Sequence, residues 1–168
     1  YKLIERIVPD KYKEDKEVID KVLRLFDEYY EEHMVDMTKP YDGIIRMIEE
    51  LKNKNIKIVI VSNKPHEFVG DVVRKYFGDA FEITYGQRPN HPTKPDPKTI
   101  YEVMELLNVE KNECIYVGDS DVDVNTAKNA GVKSVGVSWG FRGEAELREA
   151  GADYIIKNPI ELMELLIL

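Results

Sequence analysis

The 168-residue sequence lacks the features that mark several large classes of protein. It contains a single cysteine, Cys114, so no disulfide can form within it and no cysteine cluster can bind a metal. It has no long apolar run and no basic leader ahead of one, which argues against a membrane-spanning or secreted protein. The formal net charge is −8, and lysine and arginine form no stripe, so nucleic acid is a poor candidate partner. We therefore expect a soluble cytoplasmic protein.

Residues 1–37 predict helices. From about Lys13, apolar side chains recur every three or four residues, which predicts one amphipathic helix with a wide buried stripe. The stripe consists of Ile19, Val22, Leu23, Phe26, Tyr29, Tyr30, His33 and Met37. We interpret His33 as a packed or partly exposed residue rather than a metal ligand, since no second ligand lies one turn away. Thr38, Pro40 and Gly43 break the pattern, so we place a domain boundary near residue 40.

From residue 40 to the C-terminus, short apolar runs alternate with amphipathic helical patterns. The runs 56–61, 81–85, 114–117, 134–137 and 154–156 predict strands. This alternation is typical of an α/β fold, with a parallel sheet between layers of helices. Ligands of such Rossmann-like folds bind at the carboxyl ends of the strands.

The candidate functional residues follow two of these runs, 56–61 and 114–117, or lie in a loop between those two runs. Asp119, Asp121 and Asp123 come after the run 114–117, where they suit a hard cation such as Mg²⁺ or form an ordinary acidic turn. Ser62 precedes a helix whose free amides can bind an anion, or it only caps that helix. Lys94 lies in a proline-rich loop, in which most lysines are exposed. Because right-handed crossovers place the strand ends on one side of the sheet, these groups can converge on a phosphate and a metal ion. Two other residues of the loop, Arg88 and His91, are interpreted as surface residues.

The order of three motifs resembles the haloacid dehalogenase-like hydrolase superfamily, in particular its phosphoglycolate phosphatase-like group. The motifs are VSNKP, KPDP and VGDSDVD, at 61–65, 94–97 and 117–123. The resemblance implies phosphate binding by Ser62, Asn63 and Lys94, with Ser62 and Lys94 as catalytic residues. It also implies Mg²⁺ binding by Asp119 and Asp123. In this interpretation Asp119 is the direct ligand, and Asp123 is a more distant acid or the partner of Lys94.

The resemblance implies a reaction and a domain organisation as well. The reaction is Mg²⁺-dependent hydrolysis of a small phosphorylated metabolite, such as phosphoglycolate, through an aspartyl-phosphate. Residues 1–39 correspond to the C-terminal part of a helical cap domain, and residues 40–168 to the α/β core without its first strand. The family's DxDGT motif does not occur in these residues. We therefore expect the attacking aspartate and the central strand upstream of them, and no activity from this fragment alone.

Two other functions are compatible with the same residues. One is a sugar phosphomutase of the same superfamily, because relatives with this architecture return the phosphoryl group to a sugar. The other is a non-catalytic module that binds phosphate or a partner protein. The sequence is compatible with a monomer or a homodimer.

Overall fold

The structure is a computed structural model that describes residue 4 and residues 7–166. The chain divides into two compact units, Tyr1–Lys39 and Pro40–Leu168. The beginning of the predicted helical region, at residues 1–3, lies outside the described residues.

The first unit is built around helix α1, Lys16–His33. The helix begins after Asp15, whose carboxylate accepts hydrogen bonds from two backbone amides of the first turn and so satisfies donors that lack a partner within the helix. Ile19, near the start of α1, packs with Ile4 and Val8 in a small apolar core. The core of this unit therefore lies at the N-terminal end of the helix.

The remainder of the predicted stripe is not buried. Phe26 is 36% exposed, Tyr29 66% and Met37 94%. In the described part of this unit, the apolar residues that precede the helix pack only against its first turns. The prediction of a stripe buried along the whole length of the helix is therefore wrong. His33 is partly exposed, and its Nδ1 atom lies 2.7 Å from Oδ2 of Asp36.

The second unit contains strands that pair in parallel. They are β1 (Val59–Pro65), β2 (Ile83–Gln87), β3 (Ile115–Gly118), β4 (Lys133–Val137) and β5 (Tyr154–Ile156). The pairs β1 with β2, β3 with β4, and β4 with β5 are all parallel. Parallel strands need crossover connections, and helices lie between the strands as the sequence pattern predicts. The α/β fold class is confirmed.

The helices of this unit are short and amphipathic. They are α2 (Ile44–Asn53), α3 (His66–Phe77), α4 (Lys98–Leu107), α5 (Asp121–Ala130), α6 (Gly143–Glu149) and α7 (Glu161–Leu165). Across residue 4 and residues 7–166, no helix has both the length and the apolar character needed to cross a membrane.

Strand β4 lies at the centre of the larger sheet, between β3 and β5. Residues 134–137 are all buried, and Val135 packs in one core cluster with Leu51, Ile156 and Leu162. A strand covered on both faces explains why its apolar residues are continuous rather than alternating.

Strand β1 differs from its predicted bounds. It begins at Val59 and continues through Pro65, and its pairing with β2 shifts register between Val61 and Pro65. The polar residues 62–64 therefore continue the strand irregularly beyond its predicted end at residue 61. This irregularity lies at the carboxyl end of the strand, where the candidate site begins.

The strands form two sheets, β1–β2 and β3–β4–β5. A cavity of about 720 Å³ is lined by residues of both β1 and β3. Ile115 and Val117 of β3 line this cavity and are 38% and 40% exposed. Among the described residues, no strand pairs with β1 or β3 on the cavity side.

Candidate active site

Lys94 and Asp123 form a largely buried ion pair near the carboxyl ends of the strands. The Nζ atom of Lys94 donates to Oδ1 of Asp123 at 2.7 Å, and the two side chains are only 16% and 9% exposed. Lys94 lies in the segment of residues 88–97 between β2 and α4, which we call the lysine loop. Asp123 lies in the first turn of α5. The pair thus joins two segments that are distant in sequence, in a place where solvent screens the charges weakly.

The second oxygen of the Asp123 carboxylate is also occupied. Oδ2 accepts hydrogen bonds from the Ser120 hydroxyl at 2.7 Å and from the backbone amide of Asp119 at 3.2 Å. A Cβ atom at Gly118 would overlap the Asp123 side chain, so the close approach of this carboxylate to the end of β3 requires glycine there. Asp123 is therefore fixed in place by donors on both of its oxygens.

The surroundings of Lys94 keep its ammonium group charged. Nζ lies 5.8 Å from the centre of the Tyr116 ring. Burial favours the neutral amine, but the interactions with Tyr116 and Asp123 outweigh this effect, and the pKa of Lys94 is raised above its ordinary value. Burial also favours the neutral form of the Tyr116 hydroxyl, and it therefore raises the pKa of that group. At neutral pH a positive charge therefore lies at the carboxyl end of β3.

Asn63 holds the backbone of the lysine. Its Oδ1 atom accepts from the Lys94 amide at 2.9 Å, and its Nδ2 atom donates to the Lys94 carbonyl at 3.2 Å. The side chain of Asn63 is thus committed to the lysine loop, which leaves its backbone amide as the group for the predicted phosphate contact. The neighbouring Ser62 hydroxyl accepts from the amide of Lys64 at 3.1 Å and keeps its own O–H to donate to a further partner.

Asp119 lies against the loop that follows β4. Its Oδ2 atom accepts from the amide of Phe141 at 3.0 Å, and a Cβ atom at Gly140 would overlap the Asp119 side chain. Asp119 lines a pocket of about 360 Å³ together with Ser120, Phe141 and Arg142. The carboxylate is therefore oriented by the backbone of the loop and faces a small open space.

Asp119 has the chemistry of a ligand for a hard divalent cation but does not complete a site. Mg²⁺ is commonly held by one or two carboxylates, with water and substrate oxygens filling its other positions. In the part of the chain that the structure describes, no three His, Cys, Asp or Glu side chains are arranged to hold a metal ion. The oxygens of Asp123 already accept hydrogen bonds from three donors. Of these two carboxylates, Asp119 is therefore the better placed to bind a cation.

Arg88 and His91 are partly exposed at the surface, as the sequence suggested, but they are also paired. Their side chains are 21% and 26% exposed, and both contact the carboxylate of Glu102 in α4. The sequence did not predict this pairing, because Glu102 lies 14 residues after Arg88 and 11 after His91 and such contacts leave no local pattern.

Four of the five predicted site residues are joined by hydrogen bonds. Asn63 contacts Lys94, Lys94 contacts Asp123, and Asp123 contacts the amide of Asp119. Ser62 precedes Asn63 in β1 but bonds to the backbone of Lys64 rather than to this chain of contacts.

Sequence reasoning missed three residues that shape the site. Gly118 and Gly140 leave room for the two carboxylates, and Tyr116 lies beside the lysine. Gly118 is the last residue of β3, and Gly140 lies in the loop that follows β4. Their position at the end of a strand or in the loop after it was a signal, since a conformation that brings backbone close to a functional group favours glycine.

Comparisons with known proteins show which proteins the chain is similar to. A family model described as haloacid dehalogenase-like hydrolase matches residues 4–137. A phosphoglycolate phosphatase of Aquifex aeolicus is 29% identical over 167 residues, which are 98% of this chain and 73% of that protein. The pyrophosphatase PpaX of Halalkalibacterium halodurans is 28% identical over 153 residues, which are 90% of this chain and 71% of that protein. The crystal structure of a candidate phosphoglycolate phosphatase from Lactobacillus delbrueckii superposes with a TM-score of 0.86 at 32% identity, over 95% of this chain and 66% of that one.

Proposed function

Because the chain belongs to the haloacid dehalogenase-like hydrolase family, we propose that it forms most of a Mg²⁺-dependent phosphatase that hydrolyses a small phosphomonoester similar to phosphoglycolate. The observation that carries the proposal is the chain of contacts from Asn63 through Lys94 and Asp123 to Asp119. It brings a fixed cation and a carboxylate to one end of the strands, where α/β folds bind ligands. The names of the relatives support the choice of substrate class.

Three groups are proposed to bind the phosphate. The Ser62 hydroxyl and the backbone amide of Asn63 lie at the irregular end of β1, and the Lys94 ammonium is held nearby through Asn63. An ammonium group has three donors, so Lys94 can contact Asp123 and a phosphate oxygen together. Donors fixed before the substrate arrives stabilise the charge that spreads over the phosphoryl oxygens in the transition state.

Asp119 is proposed to hold the Mg²⁺ ion, with Asp123 fixing Lys94. When bound, the ion would act as a Lewis acid that withdraws charge from the phosphoryl oxygens. The fit rests on the Asp119 carboxylate, which is oriented by the Phe141 amide and lines the pocket beside Ser120. None of the ion pairs among the described residues involves Asp119, so no cationic side chain competes with a metal ion for its carboxylate.

The attacking aspartate is proposed to come from a strand that precedes these residues in the protein. The cavity between β1 and β3 supports this proposal, because one further parallel strand there would pair with both edges and cover Ile115 and Val117. The contacts from Asn63 to Lys94 and on to Asp123 place the carboxyl ends of β1 and β3 on the same side. An aspartate at the end of the added strand would therefore reach the same site.

The proposed reaction has two steps. A carboxylate oxygen of the upstream aspartate attacks phosphorus, the bond to the leaving-group oxygen breaks, and that oxygen takes a proton. Water then loses a proton as it attacks the phosphorus of the acyl phosphate, the bond from phosphorus to the aspartate oxygen breaks, and orthophosphate and the free carboxylate result. Since the nucleophile belongs to the added strand, residues 1–168 alone are expected to be inactive.

The full-length protein provides the test. It should release phosphate from an aryl phosphate ester only with Mg²⁺, and Lys94→Ala should lower kcat about a hundredfold or more, as expected for loss of a group that stabilises transition-state charge. Lys98→Ala, which removes an exposed lysine four residues away, is the matched control. Equal turnover in the two variants would remove Lys94 from the mechanism, and Mg²⁺-dependent phosphate binding without any turnover would favour the non-catalytic module.

A further inference from the structure

Glu102 of α4 ties together two residues of the lysine loop. The Arg88 guanidinium donates two parallel hydrogen bonds to it, from one terminal nitrogen to Oε1 at 2.9 Å and from the other to Oε2 at 2.6 Å. The Nε2 atom of His91 lies 3.2 Å from the same Oε2. Bidentate contacts between arginine and carboxylate are among the strongest and most directional hydrogen bonds in proteins.

The cluster is more than a loose surface ion pair. The Arg88, His91 and Glu102 side chains are only 21%, 26% and 31% exposed, and the Arg88 guanidinium carbon lies 4.0 Å from the centre of the Tyr85 ring, a stacking position that favours arginine. The hydrogen bonds and the positive charge of Arg88 lower the pKa of Glu102 to about 2. Glu102 is therefore ionised throughout the physiological range.

The other end of the lysine loop is fixed separately. Asn63 holds the backbone of Lys94 through two hydrogen bonds, and Nδ2 of Asn129 donates to the carbonyl of Pro95 at 2.9 Å. The loop is thus attached to α4 at its beginning and to β1 and α5 at its end. Lys94 lies only three residues beyond His91, so the first attachment limits how far the lysine can move.

We propose that Glu102 is a positioning residue, which acts through Arg88 and His91 to keep the lysine loop in the conformation that brings Lys94 to Asp123. Its effect on catalysis rests on the proposed function, whereas its effect on the position of Lys94 does not. Removing Glu102 would leave Lys94 chemically intact but would let the beginning of the loop move away from α4. Misplacing a catalytic group by about 1 Å can slow a reaction about a hundredfold.

The experiment compares the reactivity of Lys94 with catalysis in the full-length protein. The amines are acylated briefly with acetic anhydride, and the extent of modification at Lys94 is measured by peptide mass spectrometry. In Glu102→Ala, Lys94 should react about tenfold faster than in the wild type, because loss of a charge-assisted bidentate contact makes local opening more frequent. Glu105→Ala, which removes an exposed carboxylate from the same helix, should leave the rate unchanged.

Catalysis gives the second readout. In Glu102→Ala, kcat should fall about tenfold while KM changes less, because the misplaced group acts mainly in the transition state. Glu102→Gln, which keeps one acceptor oxygen, should lie between the wild type and the alanine variant. If Glu102→Ala does not fold, Arg88→Lys replaces it, since lysine keeps the charge but loses the bidentate contact and the stacking.

Each result is decisive. Unchanged Lys94 reactivity in folded Glu102→Ala or Arg88→Lys protein would overturn the proposal, even if the variant melted at a lower temperature, because a purely structural role predicts that combination. Faster acylation of Lys94 in the Glu102→Ala and Arg88→Lys proteins, with an unchanged rate in Glu105→Ala, would support the proposal. If the wild-type protein had no phosphatase activity, the proposed function would fail, while the acylation rates would still test the positioning role.

Discussion

Replacing Asp123 tests the energetics of the buried ion pair without reference to catalysis. In Asp123→Asn the side chain keeps its size but loses its charge, so the Lys94 ammonium, which is only 16% exposed, remains without its counter-charge. The new amide also places a donor where the carboxylate accepted from Lys94, Ser120 and the Asp119 amide. Both effects should lower the free energy of unfolding.

The size of the loss follows from the degree of burial. Breaking a buried ion pair by removing one partner costs about 3–5 kcal/mol. Because Lys94 keeps some contact with solvent, we expect a value near the lower end, about 3 kcal/mol for Asp123→Asn. Asp123→Ala should cost roughly 1 kcal/mol more, since the Ser120 hydroxyl and the Asp119 amide then lose their acceptor altogether.

The pH dependence of the loss has a defined sign. The pKa of Lys94 is raised above its ordinary value, so the stabilisation contributed by its charge is fully present below the pKa of lysine in the unfolded chain, about 10.4. It is lost only as the pH rises through the raised value in the folded protein. The stabilisation that the charged Lys94 contributes in the wild-type protein should therefore stay constant from about pH 6 to about pH 9.

Urea unfolding of the full-length protein, followed by far-UV circular dichroism, measures these values. Asp121→Asn, in the same turn but exposed, is the matched control and should change stability by less than about 0.5 kcal/mol. Adding Lys94→Met to Asp123→Asn should recover part of the loss, because the unpaired buried charge is removed. If Asp123→Asn were as stable as Asp121→Asn, the assignment of a buried and mutually dependent pair would be refuted.

Two further predictions concern the sheet and the metal site. The Asp153 carboxylate accepts from the amide and the hydroxyl of Ser134 at 2.9 and 2.7 Å, so Asp153→Asn should cost about 1–3 kcal/mol at pH 7. Hydrogen bonds from Lys133 and Ser134 lower the pKa of Asp153 below its ordinary 3.8, so this stabilisation is lost as the pH falls below that value. The difference in melting temperature between wild type and Asp153→Asn should therefore be smaller at pH 3 than at pH 7. An equal difference at the two pH values would contradict this account. In Gly140→Ala the new methyl group would displace the Asp119 carboxylate, and titration of activity with Mg²⁺ should show a higher half-saturating concentration; an unchanged titration would argue against Asp119 as the ligand.

The fold could be predicted from the sequence because its strands are short apolar runs between amphipathic helices. The run 134–137 corresponds closely to β4, Lys133–Val137, since a strand buried on both faces contains few polar residues. The end of β1 was harder to place, because residues 62–64 are polar and resemble a turn, while the structure continues the strand with a shift of register. Local composition does not show whether polar residues continue the hydrogen-bonded pairing of a strand.

The exposed face of α1 marks another limit of the sequence. The spacing of its apolar residues indicates an amphipathic helix, and the structure has a helix there. Periodicity does not say what covers the apolar face, and Tyr29 remains 66% exposed. Burial depends on partners that a single helical pattern does not contain.

In the candidate site, too, the sequence predicts the residues of short motifs but not the contacts between distant segments. The motifs identify Lys94 and Asp123 as residues of interest, and the structure joins them at 2.7 Å, while their roles in catalysis stay a prediction. The contacts of Glu102 with the lysine loop could not be foreseen, because an isolated glutamate on a helix is usually solvated. Such contacts depend on the path of the loop, which no short pattern encodes.

The loop after β4 also gives the protein an intrinsic optical probe. Trp139 is the single tryptophan among the 168 residues, and it packs against the core cluster that contains Val137. It directly precedes Gly140, which lies against the Asp119 side chain. A cation or phosphate that moves Asp119 would therefore change the indole environment through one intervening residue. Ligand binding could then be followed by fluorescence, without turnover or an attached label.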